Sequence, residues 1–521
     1  MKLIELTAGT DIEYVDFKSS KYTNDNNLDI TGITSDSREV QPGYLFVCIK
    51  GTKVDGHHFI EDAVRAGATA ILVEKSADLD MTSIMMNRAD NDVPIFLGSK
   101  NTRRALAFLW DSWYGHPAKN MKIVAVTGTN GKTSVTFMLR AIFRAAMYKT
   151  GLIGTVVCYS DERRLNIRSS DETANMTTPD PKELYKMLSI MASEGVEVVL
   201  LEATSHALAL DKLAPLHFAA AVFTNLTPDH LDFHGTMENY LEAKKKLFSM
   251  CDIAIINGDD AYSVGIAEAA EKGGCGNIRL CTCDDRKRVD YSAVNILNLG
   301  AYGIEYMLSS VCSVFKVKSN IPGRFTVINT LQASACALEM GISVQNVQDA
   351  LCHMGGIDGR FERVKLCSGA NFSVFIDYAH TPDALGNLLL TVRDFRKVGQ
   401  RIVLLFGCGG DRDKSKRSVM GNIASTLADF VIVTSDNSRS EDPSDIIADI
   451  MSGFDFTRAH AVVIENRAEA IDYAIKNALK DDIILLAGKG HEEYEINREG
   501  RHPFSEKNIA MESANKYYYF R

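Results

Sequence analysis

At 521 residues the chain is too long for one hydrophobic core, and about three domains follow from that length. Its 46% hydrophobic and 24% charged residues are those of an ordinary soluble globular protein, and its net charge of −10 argues against nucleic acid or an anionic membrane as the main partner. An anionic substrate would need a local basic pocket working against that field.

The N-terminus, MKLIELTAGTDIEYVDF, has neither a basic leader segment nor an uninterrupted apolar stretch, and no run reaches the length of a membrane span. A cytoplasmic protein is expected. Its eleven cysteines are scattered with no C-x-x-C pair, which reads as reduced thiols. Strand-like apolar runs alternate with helical segments almost throughout, the pattern of an α/β protein with mainly parallel sheets. A first unit ends near YGHPAKN, residues 114–120. A second has strands at Ile123–Val126, Val196–Leu201, Ala219–Phe223 and Ile253–Ile256. A third begins around GGIDGRFERV, with strands at Phe372–Ile376, Ile402–Phe406, Phe430–Thr434, Ala461–Ile464 and Ile483–Ala487, spaced to suit βαβ units. The expected domains are 1–118, 119–356 and 357–521.

Between Ile123–Val126 and a helix carrying Val135, Met138, Leu139 and Ile142 lies T-G-T-N-G-K-T. Gly128 and Gly131 let backbone N–H groups turn inward around phosphate oxygens, helped by the positive helix N-terminus. Lys132 can offset phosphate charge and the Thr133 hydroxyl can ligate Mg²⁺. The glycines stand closer together than in G-x-x-x-x-G-K-[ST], and a plain glycine turn with a surface lysine is the alternative; the strand–turn–helix context weighs against it.

Glu202 falls at the carboxyl end of a buried strand, where α/β sheets bind ligands, and can hold a metal through oxygen. After the Ala219–Phe223 strand, Asn225 opens a loop carrying Asp229, His230, Asp232 and His234. Lys244, Lys245 and Lys246 would ordinarily be a solvated helical face.

The segments TGTNGKTS, LEATSHAL, FTNLTPDHLDFHGTMENYLEAKKKLF, DYAHTPDAL, GCGGDRDKSKR, SDNSRSEDP and AGKGHEEYE together resemble the Mur ligases over essentially the whole chain. The branch most resembled adds the third stem-peptide residue of peptidoglycan. The resemblance implies an N-terminal UDP-binding α/β domain, a central P-loop ATPase-like domain with a mostly parallel sheet, and a C-terminal Rossmann-like domain. It implies ligation that depends on ATP and two Mg²⁺ ions and passes through an acyl-phosphate. Gly128, Thr129, Asn130, Gly131, Lys132, Thr133 and Ser134 would then hold ATP with Asn225, Asn329, Arg360 and Asp377, with His380 nearby. Thr326 stands where the family usually has an asparagine. Thr133, Glu202 and His230 match metal ligands. Lys244 falls on the lysine that family members carry as a carbamate, in which CO₂ turns a cation into an anionic oxygen ligand. Lys132, His230 and Lys244 form the implied catalytic set. Ser37 in TSDSR, Thr177, Thr178, Ser205 with His206, and Lys212 would grip the UDP-N-acetylmuramoyl-dipeptide, Lys212 replacing a common arginine and its two-pronged fork.

For the amino acid to be added, Arg412, Asp436, Asn437, Arg439, Gly488 and Glu492 match an acceptor pocket. The Arg439 guanidinium can pair with the distal carboxylate of meso-diaminopimelate, which lysine lacks, and Glu492 can accept from the distal ammonium. The ordinary reading of Arg439 is a surface ion pair with Glu441 or Asp442. Meso-diaminopimelate is the expected acceptor; Ser438 replaces the proline usual in diaminopimelate-adding members, which leaves L-lysine, lanthionine or another diamino acid as the alternative. A non-catalytic assembly or regulatory relative is the alternative from another class. The implied partners are small molecules, with no nucleic acid, no integral membrane contact and a monomer expected.

Overall fold

A computed structural model describes residues 1–15, 28–51, 54–77, 94–165 and 176–519. They gather into two units, 1–125 with 149–219 and 126–148 with 220–521. In the first unit β1 (Glu13–Tyr14), β2 (Gly32–Thr34), β3 (Tyr44–Val47), β4 (Ala70–Glu74) and β5 (Ile95–Ser99) form a sheet in the order β1-β5-β4-β3-β2. Only β1 runs antiparallel to its neighbour. Phe46, Ile71 and Val73 pack there with Ile60, Ala63 and Val64 of the helix Ile60–Arg65.

β6 (Lys122–Thr127) leads the chain into the second unit. Back in the first unit, β7 (Thr150–Ile153), β8 (Cys158–Ser160), β9 (Arg163–Arg164) and β10 (Val198–Glu202) lie in the order β10-β7-β8-β9. β10 begins two residues later than the apolar run suggests. Gly195, at φ 75°, closes the helix Pro181–Ser193, and the Val196 N–H still bonds to the Met191 carbonyl at 3.0 Å. The helix end, not the strand, claims Val196.

β11 (Phe218–Phe223), β12 (Cys251–Asn257), β13 (Asn277–Thr282), β14 (Tyr291–Asn298), β15 (Ile304–Ser310) and β16 (Val314–Ser319) follow side by side in chain order. The last three are antiparallel, and β16 alternates exposed and buried residues. Half-exposed strands alternate instead of forming apolar runs, so the run-based reading passes over them.

The second unit's other large sheet comprises β17 (Glu362–Arg363), β18 (Ser373–Asp377), β19 (Ile402–Phe406), β20 (Phe430–Val433), β21 (His460–Val463) and β22 (Ile483–Ala487), in the order β17-β18-β22-β19-β20-β21. All but β17 are parallel. Val374, Leu404 and Leu485 show why these strands read as unbroken apolar runs: neighbouring residues point to opposite faces and both faces are covered. Phe375, Leu404 and Leu485 pack with Leu385, Leu389 and Met420, while Val374, Leu405 and Leu486 pack with Ile471, Ile475 and Ala514. Each such side chain contributes about 1.5–3 kcal/mol by leaving water. The register sets Asp377, Phe406 and Val433 level with Ala487 or with each other. DYAHTP, GCGGDRD, SDNSR and AGKGHE therefore leave the same edge of the sheet, where such folds bind ligands.

Among the described residues no helix is long and apolar enough to cross a membrane. All eleven cysteines are free.

Candidate active site

The turn after β6 is built around two glycines that no other residue could replace cheaply. Gly128 has φ 150°, and a Cβ there would run into the Thr224 hydroxyl. Gly131 caps the helix Lys132–Ala145 at φ 87°, and a Cβ would stand 2.9 Å from Asn329 Oδ1. Asn225 grips this loop from the end of β11. Its carbonyl accepts from the Thr129 N–H at 2.9 Å, its Oδ1 accepts from the Asn130 N–H at 2.9 Å, and its Nδ2 donates to the Asn130 carbonyl at 3.1 Å. Asn225, expected to touch nucleotide, thus shapes the loop. The Lys132 ammonium donates to the carbonyls of Gly128 and Thr129 at 3.0 and 2.9 Å. Thr133 is buried at the first turn of the helix.

His230 takes a left-handed conformation (φ 55°) ahead of the short helix Leu231–His234. Although 47% of its side chain reaches solvent, partial desolvation holds its pKa below the ordinary value. Lys132 and Lys244 push the same way, against Asp229. Lys244, on the helix Met237–Phe248, is 1% exposed, whereas Lys246 lies at the surface and Lys245 pairs with Glu242 at 2.7 Å. Burial, with Lys132 adding, drives the Lys244 pKa well down. Its Nζ lies 4.6 Å from the Tyr240 ring centroid.

Arg360 reaches the same loop, with Nη2 3.4 Å from Thr133 Oγ1 and its guanidinium 4.7 Å from the Tyr378 ring centroid. Asp377 accepts from the N–H groups of Phe361 and Ala379 at 2.7 and 2.9 Å, so its carboxylate fixes the turn that carries Arg360. Thr326 donates to the Pro322 carbonyl of its own segment at 2.9 Å. Asp383, not singled out in the sequence, accepts from Asn130 Nδ2 at 2.8 Å and from the Thr227 hydroxyl at 3.1 Å.

In the first unit Glu202 ends β10 and is 1% exposed. Thr155 donates to it twice, N–H to Oε1 at 3.1 Å and hydroxyl to Oε2 at 2.9 Å, and the same hydroxyl lies 2.9 Å from Thr177 Oγ1. A Cβ on Gly154 would strike Glu202 Oε1. Thr178 is buried and donates to the Glu202 carbonyl at 2.7 Å, a scaffold role. Ser205 is buried in the first turn of Ser205–Ala209. Lys212, 7% exposed, pairs with Asp180 at 2.6 Å. Ser37 opens a single turn in which Arg38 folds back on Asp36 at 2.6 Å.

At the carboxyl edge of the six-stranded sheet, Asn437 Nδ2 donates to Glu492 Oε2 at 2.7 Å. Arg439, at φ 52°, donates to the Gly410 carbonyl at 2.7 Å. Glu441, its expected surface partner, is taken by Arg417 and Lys414 at 2.9 Å each. Gly488, at φ 115°, leaves room for Asp436, whose Oδ2 would lie 2.7 Å from a Cβ. Burial pushes the Glu492 pKa up and Asp436 adds to it. Asp436 itself is held down: burial would raise it, but Lys489 and Arg467 outweigh that. Arg412 is exposed and donates to the Asp411 carbonyl at 3.3 Å, outside this cluster's hydrogen bonds.

Three stretches match family models: residues 29–105 the Mur ligase family, catalytic domain; 126–337 the Mur ligase middle domain; 359–490 the Mur ligase, glutamate ligase domain. A UDP-N-acetylmuramoyl-L-alanyl-D-glutamate–2,6-diaminopimelate ligase of Syntrophomonas wolfei subsp. wolfei is 39% identical over 98% of this chain and 99% of its own. One of the same name from Caldanaerobacter subterraneus subsp. tengcongensis is 41% identical over 93% of this chain and 95% of its own. The solved structure of a ligase of that name superposes with a TM-score of 0.65 at 30% identity, covering 94% of this chain and 95% of that one. Matched along nearly its whole length by these relatives and sharing their three-domain α/β fold, the chain belongs to the Mur ligase family.

Proposed function

We propose that the chain is a cytoplasmic, monomeric amide ligase that uses ATP to join meso-diaminopimelate to UDP-N-acetylmuramoyl-L-alanyl-D-glutamate. Its domains are then 1–118 for the UDP-substrate, 119–356 for ATP and 357–521 for the amino acid. Full-length relatives bearing that activity in their names support the reading. The observation that carries the acceptor assignment is the cluster of Asn437, Arg439 and Glu492 at one sheet edge, with Arg439 held by backbone carbonyls and its surface partner claimed by Arg417.

The γ-carboxylate of the D-glutamate attacks the ATP γ-phosphorus, ADP leaves, and an acyl-phosphate forms. The diaminopimelate amine then attacks that carbonyl, phosphate leaves with the bonding pair, and the amine proton goes to solvent. Two anions must meet in the first step, and Lys132 with the N–H groups at the start of its helix, residues 131–133, offsets their charge. Arg360 adds a second cation beside Thr133. Thr133, Glu202, His230 and a Lys244 carbamate would hold Mg²⁺, which when bound supplies Lewis-acid neutralisation of phosphate oxygens. The Lys244 site fits that role: its amine is desolvated and depressed in pKa, and a free-base amine is what adds to CO₂, forming the N–C bond and releasing a proton.

The test is ADP release by purified protein with ATP, Mg²⁺ and the UDP-dipeptide, comparing meso-diaminopimelate, L-lysine and lanthionine. Turnover with meso-diaminopimelate alone is expected. Turnover with lysine instead would overturn the acceptor assignment, and silence with all three would favour the non-catalytic alternative.

A further inference from the structure

Lys489, in AGKGHE, is 0% exposed, and its Nζ donates to Asn437 Oδ1 at 2.9 Å and to the Tyr494 carbonyl at 3.0 Å, with Asp436 Oδ1 at 3.4 Å. The Ile496 N–H also donates to Asn437 Oδ1, at 3.0 Å. An atom receiving two donors must be the amide oxygen, so the amide nitrogen faces Glu492. We propose that Lys489 is a positioning residue of the acceptor pocket, fixing the Asn437 amide so that it holds Glu492 where the distal ammonium of a diamino acid must bind. The inference rests on the ligase reading above and deepens it.

The charge bookkeeping agrees. Asp436 and Glu492 crowd two carboxylates into one buried edge, and Asp436 raises the pKa of Glu492. Lys489 answers Asp436, which leaves Glu492 for the incoming cation. The strand ends have separate support: Arg467, 1% exposed, donates to the Ser435 and Ala487 carbonyls at 3.0 and 2.8 Å and pairs with Glu506. Loss of Lys489 therefore falls on Asn437, Asp436 and the turn at Tyr494, not on the strand ends.

The test is steady-state kinetics with ATP, the UDP-dipeptide and meso-diaminopimelate. Lys489→Met is expected to raise the KM for meso-diaminopimelate about tenfold or more while the KM for ATP stays within about twofold. Combined with Glu492→Gln, the two acceptor effects should not multiply, because one acts through the other. Equal rises in both KM values, an unchanged acceptor KM, or multiplying effects would overturn the proposal. If Lys489→Met does not fold, Lys489→Arg is read in its place. It keeps a buried cation, but its planar fork cannot keep both bonds. The acceptor KM should still rise, about threefold, with the ATP KM unchanged; a wild-type acceptor KM would overturn the proposal. A silent wild-type enzyme would overturn the ligase reading and this one with it.

Discussion

The Lys244 ammonium lies 4.6 Å from the centroid of the Tyr240 ring, and the Tyr240 hydroxyl stands 3.2 Å from Thr129 Oγ1 in the phosphate loop. Burying a lysine this deeply is costly for a cation, and the ring face offsets only part of that; the remaining cost is the reason to expect a chemical use. Lys244→Met should lower turnover by about 100-fold or more, as expected when a metal-holding group is lost. Its melting temperature should stay level or rise, because an apolar side chain replaces a buried amine. Lys245→Met, on the helix surface, should leave turnover within about twofold. Turnover and thermal unfolding of the two variants decide it; a Lys244→Met enzyme with near wild-type turnover would remove the carbamate from the account.

Gly128→Ala carries the second expectation. The added Cβ meets the Thr224 hydroxyl and the Asn225 backbone, which are also what holds the loop in place. The loop must shift, and the left-handed backbone adds strain of about 1–3 kcal/mol. Turnover should fall by about 100-fold with a raised KM for ATP. Gly235→Ala, where nothing stands within 4 Å, is the control: it carries similar backbone strain without the collision, so its ATP KM should hold.

Much of this site is legible in the sequence because parallel strands end in motif strings. TGTNGKT, FTN and SDNSR each follow an apolar run; neighbouring strands β6 and β11 bring the first two together, and the six-stranded sheet sets SDNSR beside AGKGHE. Less legible is which side chains face a substrate and which build the turn. Asn225, Asp377 and Thr178 are expected from the resemblance to face ligand, yet their polar atoms bind the backbone of Asn130, Phe361 and Glu202. Thr155, Asp383 and Lys489 were not visible because each acts on a partner tens or hundreds of residues away. A lysine in a glycine-rich loop carries no sign in its sequence of being fully buried.

Arg439 offers a test of acceptor choice. Its Nη1 is held by the Gly410 carbonyl at 2.7 Å, which aims the guanidinium instead of leaving it to wander. Arg439→Ala should raise the KM for meso-diaminopimelate by about 10–100-fold, the worth of one or two charge-assisted hydrogen bonds. The KM for ATP should not move. L-lysine should gain little, because alanine adds no contact to its chain, so the preference for meso-diaminopimelate over L-lysine should shrink by about the same factor. A comparable rise in the ATP KM would show that Arg439 supports the domain and does not read the amino acid.

The last expectation concerns stability and pH. Glu441 accepts from Arg417 at 2.9 and 3.0 Å, from Lys414 at 2.9 Å and from the Asp411 N–H at 2.6 Å, and Arg417 is 0% exposed. The hydrogen bonds from Arg417, then Lys414, take the Glu441 pKa from 4.5 down to about 2. A carboxyl depressed on folding stabilises above its unfolded pKa, and that stability is lost as pH falls toward the folded value. Glu441→Gln should cost about 2 kcal/mol at pH 7, below the usual price of breaking a buried pair because Asp449 still holds Arg417 at 2.9 Å. Urea unfolding of the two proteins should show a constant gap from about pH 8 to 5. Below 4.5 the gap should narrow, since the unfolded carboxyl takes up a proton that the folded one still refuses. A gap that stayed constant down to pH 3 would mean that shape, not charge, is what Glu441 supplies.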